Sequence, residues 1–106
     1  MTTIQARVQA GAAWLDENRP GWIDRIDLAT LDLGDPCRCV LGQEYGDWDE
    51  APDALTEQPE SSDLGFDRDS FGYSPSWPEN RRRSAVLYVE LTAAWRDYIT
   101  ARRAAA

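Results

Sequence analysis

The sequence predicts a mainly α, small single-domain helical bundle with long loops pinned by aromatic rings. Three observations carry that expectation. Apolar residues recur at helical spacing near both ends, Gly and Pro punctuate the middle, and eleven aromatic side chains, five of them Trp, must be sheltered within 106 residues. A chain of that length fits one domain spanning 1–106 and can bury roughly two-thirds of its unfolded surface without metal or disulfide staples.

The first helix is predicted over Thr3 to Asn18, with Ile4, Val8, Ala12 and Leu15 on one face and Thr3 as N-cap. Pro20-Gly21 ends it, and Trp22, Ile23 and Ile26 form a compact apolar cluster in a short helix or turn. From Ile26 to Leu33 no strand alternation holds, whereas Leu28 and Leu31 fit one helical turn capped by Asp27, so a short helix ending at Gly34 is expected. Asp35-Pro36 then resembles an N-cap followed by Pro at the first helical position, opening a helix from Cys37 to Tyr45 that stops at Gly46 and turns Val40 and Leu41 inward. A Pro- and Ser-rich acidic loop of about 47–80 follows, with one helical stretch near Asp49 to Thr56 carrying Leu55 inward. Gly65-Phe66, Phe71-Gly72-Tyr73 and Trp77 bring rings that would pin this loop to the body. The last helix is expected over Ser84 to Arg103, with Leu87, Leu91, Ala94, Trp95, Tyr98 and Ile99 at helical spacing and Arg102 and Arg103 at its C-terminus. Val86 to Val89 could instead pair as a short strand ahead of a helix capped by Thr92.

Absences narrow the chemistry. The chain has no His, and all eleven basic residues are Arg. Nucleophile–imidazole pairs, imidazole metal ligands, Schiff-base lysines and phosphate-loop lysines are therefore excluded. Cys37 and Cys39 are too close for an ordinary disulfide and supply half the ligands of a structural zinc site, so both are expected as reduced thiols, with no metal and no cofactor. Asp47-x-Asp49 with Asp53 hints at calcium, but Pro52 and Gln58 stand where the loop needs Gly and Glu. No apolar run is long enough to cross a bilayer and the N-terminus has no signal core, which leads us to expect a cytoplasmic protein without a membrane partner.

What stands out positively is charge. The net charge is −8, and between Arg38 and Arg68 nine carboxylates occur without a basic residue. Such a surface repels nucleic acid and attracts basic proteins; the plain alternative is a solvated loop that keeps the chain soluble. The candidate partner-binding residues are Tyr45, Asp47, Trp48, Asp49, Glu50, Asp53 and Trp77, since aromatic anchors with a charged rim are the usual anatomy of a specific contact. A second set, Arg81, Arg82 and Arg83 with Tyr73, could grip a phosphate and stack on a base, which makes a small-molecule nucleotide binder the alternative. Three positive charges at the start of a helix conflict with its dipole. No spaced carboxylate motif emerges for a metal-dependent hydrolase, and no catalytic residue is assigned.

Several segments together resemble a family of small uncharacterised acidic proteins from phages and prophages of actinobacteria and other Gram-positive bacteria. They are Leu15-Asp16 with Pro20-Gly21-Trp22, Ile26-Asp27-Leu28 with Leu31-Asp32-Leu33, Cys37-x-Cys39-Val40-Leu41-Gly42-Gln43, Gly65-Phe66, and Leu91-Thr92-x-x-Trp95-Arg96. The Cys-x-Cys-Val-Leu-Gly-Gln string is the most specific. The resemblance implies a non-catalytic phage accessory protein, a monomer or homodimer in the host bacterial cytoplasm, that modulates or inhibits a host protein; it transfers no functional residues.

Overall fold

A computed structural model describes residues 3–57, 60–67 and 77–105, with side chains of the last segment from residue 85 onward. Among these residues the chain is mainly helical and has no strand. The elements are α1 (Ile4–Asn18), α2 (Trp22–Arg25), α3 (Val40–Tyr45), a 3-10 turn (Trp48–Glu50), α4 (Asp53–Thr56), α5 (Glu60–Asp63) and α6 (Trp77–Ala105). At about 1.5 Å per residue, the 29-residue α6 accounts for the 46 Å long axis of the molecule. No helix among the described residues is long and apolar enough to cross a membrane.

The first helix forms as its sequence predicts. Thr3 Oγ1 accepts from the Ala6 amide, and Val8, Gly11, Ala12 and Leu15 form the buried stripe. Ile4 packs at the rim of the core. Gly21, at φ +85°, lets the chain reverse into α2, which carries Trp22 into the centre.

The core is built around Trp95. Its indole stacks on Phe66 (ring centroids 5.6 Å apart) and meets Trp22 and Tyr98 edge-on, and its Nε1–H donates to the Gly65 carbonyl. Gly65 is left-handed (φ +73°), and the Leu64–Gly65 backbone lies directly on α1. A Cβ at Gly11 would come within 2.0 Å of the Leu64 carbonyl oxygen, so only glycine fits there. Leu91 and Ile99 complete the inward face of α6.

Four expectations about local structure need correction. Residues 26–34 are not helical: both carboxylate oxygens of Asp27 are occupied by the Ala29 amide and the Thr30 hydroxyl in a tight turn. Leu31 and Leu33 are then buried with Asp32 between them exposed. The backbone partners come from elsewhere, since Gln43 brackets Asp27 by accepting from its amide and donating to its carbonyl, and Thr92 accepts from the Leu33 amide. The next helix begins at Val40 rather than Cys37, because Asp35 spends its carboxylate on the Cys37 and Arg38 amides of a separate turn and Cys39 Sγ becomes the cap, accepting from the Gly42 amide.

The stretch after Thr56 also contains α5, whose first residue, Glu60, suits a helix start. Finally, α6 begins at Trp77, seven residues before the expected Ser84. Pro78 is tolerated because first-turn amides have no intrahelical acceptor. Val86 to Val89 are helical, and Thr92 bonds back to the Tyr88 carbonyl inside the helix instead of capping one. Residues 68–76, including Phe71 and Tyr73, lie outside the described residues.

Replacing Trp95 by Ala should lower stability by about 3–5 kcal/mol in chemical denaturation, because a fully buried ring system is deleted from the centre of the core. Gly11→Ala, a change that normally favours a helix, should instead destabilise by about 1–3 kcal/mol, since the Leu64 backbone must retreat.

Candidate functional site

The polypeptide from Val40 to Asp63 sorts its described carboxylates into two kinds. Val40, Leu41 and Glu44 share the inward face of α3, so Glu44 is buried with its two apolar neighbours. Arg25 reaches it as a fork, with Nη2 2.6 Å from Oε1 and Nε 3.2 Å from Oε2. Arg19 adds an ion pair at 3.5 Å and donates to the Glu44 carbonyl. The expectation of nine uncompensated carboxylates therefore needs correction at Glu44, whose counterions come from outside the acidic segment. A buried carboxylate is retained only when paired in this way.

Six others point outward. Asp49, Glu50, Asp53, Glu57, Glu60 and Asp63 are exposed, and among the described residues none has a cation within 4 Å. Asp47 has local work: its Oδ1 accepts from the Asp49 amide, which caps the 3-10 turn, and its Oδ2 accepts from the Cys37 thiol at 3.4 Å.

Trp48 opens the 3-10 turn and is half-buried. Its amide donates to the Pro36 carbonyl at 2.8 Å. Beside it lies a cleft of about 230 Å³. Leu33 and Cys39 are the buried part of its lining, and Trp48, Tyr88, Asp35, Thr56 and Asp67 are the half-exposed part. Tyr88 donates its hydroxyl to Asp67 Oδ1 at 2.7 Å, which fixes ring and carboxylate together.

The structure thus places Asp47, Trp48, Asp49 and Glu50 on the 3-10 turn and its cap, and Asp53 at the start of α4, separated from that turn by two residues. Tyr45 is half-buried and has the Arg19 guanidinium 4.6 Å over its ring, so that face is already occupied. Trp77 is the first residue of α6, and its side chain lies outside the described residues, as does all of Tyr73. Arg81, Arg82 and Arg83 fall at the fifth to seventh positions of α6, beyond the first turn, which removes the conflict with the helix dipole; their side chains also lie outside the described residues.

Asp35, Tyr88 and Asp67 were not legible as site residues, because 53 positions separate the first two and no pattern links them. Glu44 did carry a signal: its helical spacing from Val40 and Leu41 points it inward. Both cysteines are free thiols, Cys37 exposed and Cys39 buried. Among the described residues no group of three His, Cys, Asp or Glu side chains is placed to hold a metal ion. No protein-family model, curated protein or solved structure matches the chain.

The two thiols should be separable by pH. Burial pushes Cys39 up to about 11 from an ordinary 9.0. For a thiol raised by folding, stability is fully present below the unfolded value and is lost as pH climbs through the folded one. Thermal stability should therefore fall between about pH 9 and pH 11, and a Cys39→Ser variant should lack that component. Hydrogen bonding to Asp47 raises Cys37, so Asp47→Asn should speed its alkylation at pH 8, measured by mass spectrometry of the folded protein.

Proposed function

We propose that the protein is a non-catalytic binding module whose outward acidic face, from the 3-10 turn through α5, engages a basic or nucleic-acid-binding host protein. This is the accessory role that the resemblance to small phage proteins implies. The observation that carries it is the sorting of charge. Glu44 is neutralised by two arginines that reach in from α2 and the preceding turn, while six carboxylates on the neighbouring surface are left exposed with no described counterion. Concentrated like charge costs stability through self-repulsion, and a basic partner would relieve it.

Three of the described arginines of α6 are committed elsewhere. Arg96 donates to the Leu28 carbonyl, Arg102 to the Asp16 carboxylate, and Arg103 to the Ile23 and Ile26 carbonyls.

A charge-reversal variant tests this reading. Asp47 is left intact because it caps the turn; Asp49, Glu50, Asp53 and Glu57 are changed to Arg. A basic partner recovered by the native protein at low salt should be lost by the variant, and binding to the native protein should weaken steadily between about 0.05 and 0.5 M salt, as the screening length drops below roughly 10 Å. The melting temperature should not fall. Recovery of the same partner by both proteins at low salt would reduce the acidic face to a solubility feature.

A further inference from the structure

We propose that the outer ridge of α6 is a self-complementary surface that pairs two copies of the chain, their helices antiparallel about a two-fold axis through Ala93. Apolar exposure is the first observation. Among the described residues the large hydrophobic side chains left exposed are Val86 and Val89, at 56% and 70%, and both belong to α6. At about 100° per residue, Val86, Val89, Ala93 and Thr100 fall within about 40° of one line along the helix, on the side away from the buried Leu91 and Trp95. β-Branched residues are weaker helix formers than Glu or Arg, so two valines on this ridge cost helix stability without packing in the single chain. A groove of about 620 Å³ beside them, lined by Leu31, Ala85, Val89 and Ala93 among others, widens the apolar surface beyond the helix itself.

Charge says what covers it. Glu90 lies three residues before Ala93 and about 60° to one side, whereas Arg96 lies three residues after it and about 60° to the other. A two-fold axis through Ala93 reverses both the direction along the helix and the side. It therefore sets Glu90 opposite Arg96 of the second copy and Arg96 opposite that copy's Glu90, two reciprocal ion pairs across one isologous contact. Both residues are exposed, and the Glu90 side chain has no hydrogen bond or ion pair among the described residues. Arg96 gives one Nη2 donor to the Leu28 carbonyl at 3.2 Å, which steadies the guanidinium while its other donors face outward from the helix. An unrelated partner would need the inverse order of charge along its own helix. The chain's own ridge, run the other way, already has it.

The same operation sets Val86 against Thr100 of the second copy and crosses the helices at Ala93, whose small side chain permits a close approach. Val89 falls beside Asp97 of the second copy, which costs part of the gain. A ridge of about 20 Å also covers less than the roughly 1,200–2,000 Å² of a standard interface. The pairing is therefore weak, with a dissociation constant on the order of 0.1 mM.

Sedimentation equilibrium of the full chain between about 10 µM and 1 mM tests it, at about 0.15 M salt so that repulsion between two chains of net charge −8 is screened beyond roughly 8 Å. The native protein should pass from monomer to dimer across that range. Glu90→Arg and Arg96→Glu each place like charges opposite one another twice, and each should weaken self-association at least tenfold. Mixed in equal amounts, these two variants should associate with each other about as tightly as the native chain does with itself, because every contact is again a pair of opposite charges. Val89→Asp should abolish the dimer by facing Asp97 of the second copy. Circular dichroism should show native helix content throughout; Glu90 and Val89 hold nothing in the single chain, so their variants keep the test valid should Arg96→Glu disturb the Leu28 contact.

A native chain that stays monomeric at 1 mM would overturn the proposal. So would a dimer that Glu90→Arg and Val89→Asp leave unchanged, since it would use another face. Folded single variants that fail to associate when mixed would overturn the antiparallel register about Ala93.

Discussion

Everything in the fold leans on Trp95. Its indole touches several of the elements the chain must bring together. It stacks on Phe66 from the connection after α5, meets Trp22 of α2 edge-on, and lies on the face of α6 that packs against α1. A single large ring can organise four segments because aromatic contacts act over area and in defined orientations, while its N–H fixes the Gly65 carbonyl. The close approach at Gly11 follows from the same constraint. To bring Phe66 under the indole, the Leu64–Gly65 backbone has to lie on the α1 surface, and any side chain at Gly11 would hold it away.

Much of this was legible in sequence because it depends on periodicity and on caps. The stripe of α1, the Thr3 cap, the inward Val40 and Leu41, and the run Leu91, Trp95, Ile99 are all local patterns with one reading. What was not legible is the stretch from Ile26 to Cys39, and the reason is physical. Its backbone groups are satisfied by distant side chains: Gln43 serves Asp27 and Arg38, and Thr92 serves Leu33. A helix there would satisfy the same groups locally, and nothing within the stretch reveals that the distant donors exist. The cleft is similarly non-local, since its lining brings together Asp35, Trp48 and Tyr88 from distant parts of the chain. The outward carboxylates, by contrast, could be listed from the sequence, but their direction had to be seen.

The string from Cys37 to Gln43, the most specific local pattern in the chain, proves architectural in nearly every position. Cys39 caps the helix through sulfur, Val40 and Leu41 fill the core, and Gln43 fastens the preceding turn. Gly42 has no room for a Cβ, which would come 2.2 Å from the Pro36 carbonyl oxygen. Cys37, the exposed member, touches only Asp47 among the hydrogen bonds described for it through its thiol. A sulfur serving as a helix cap needs no metal partner, which gives the paired cysteines a role in packing and turn formation.

Charge placement completes the account. Arginine is the only basic residue type in the chain, and its planar fork is used here to satisfy backbone carbonyls as well as carboxylates, a task for which a lysine's single ammonium is poorly shaped. Arg25 meets the Pro20 and Arg19 carbonyls and Glu44 at once, and Arg103 closes the exposed carbonyls at the end of α2. Cations used this way stiffen the side of the molecule where α1, α2 and α6 meet. They are thereby withdrawn from the opposite role of neutralising the acidic turns, and among the described residues the carboxylates from Asp49 to Asp63 have no cation within 4 Å.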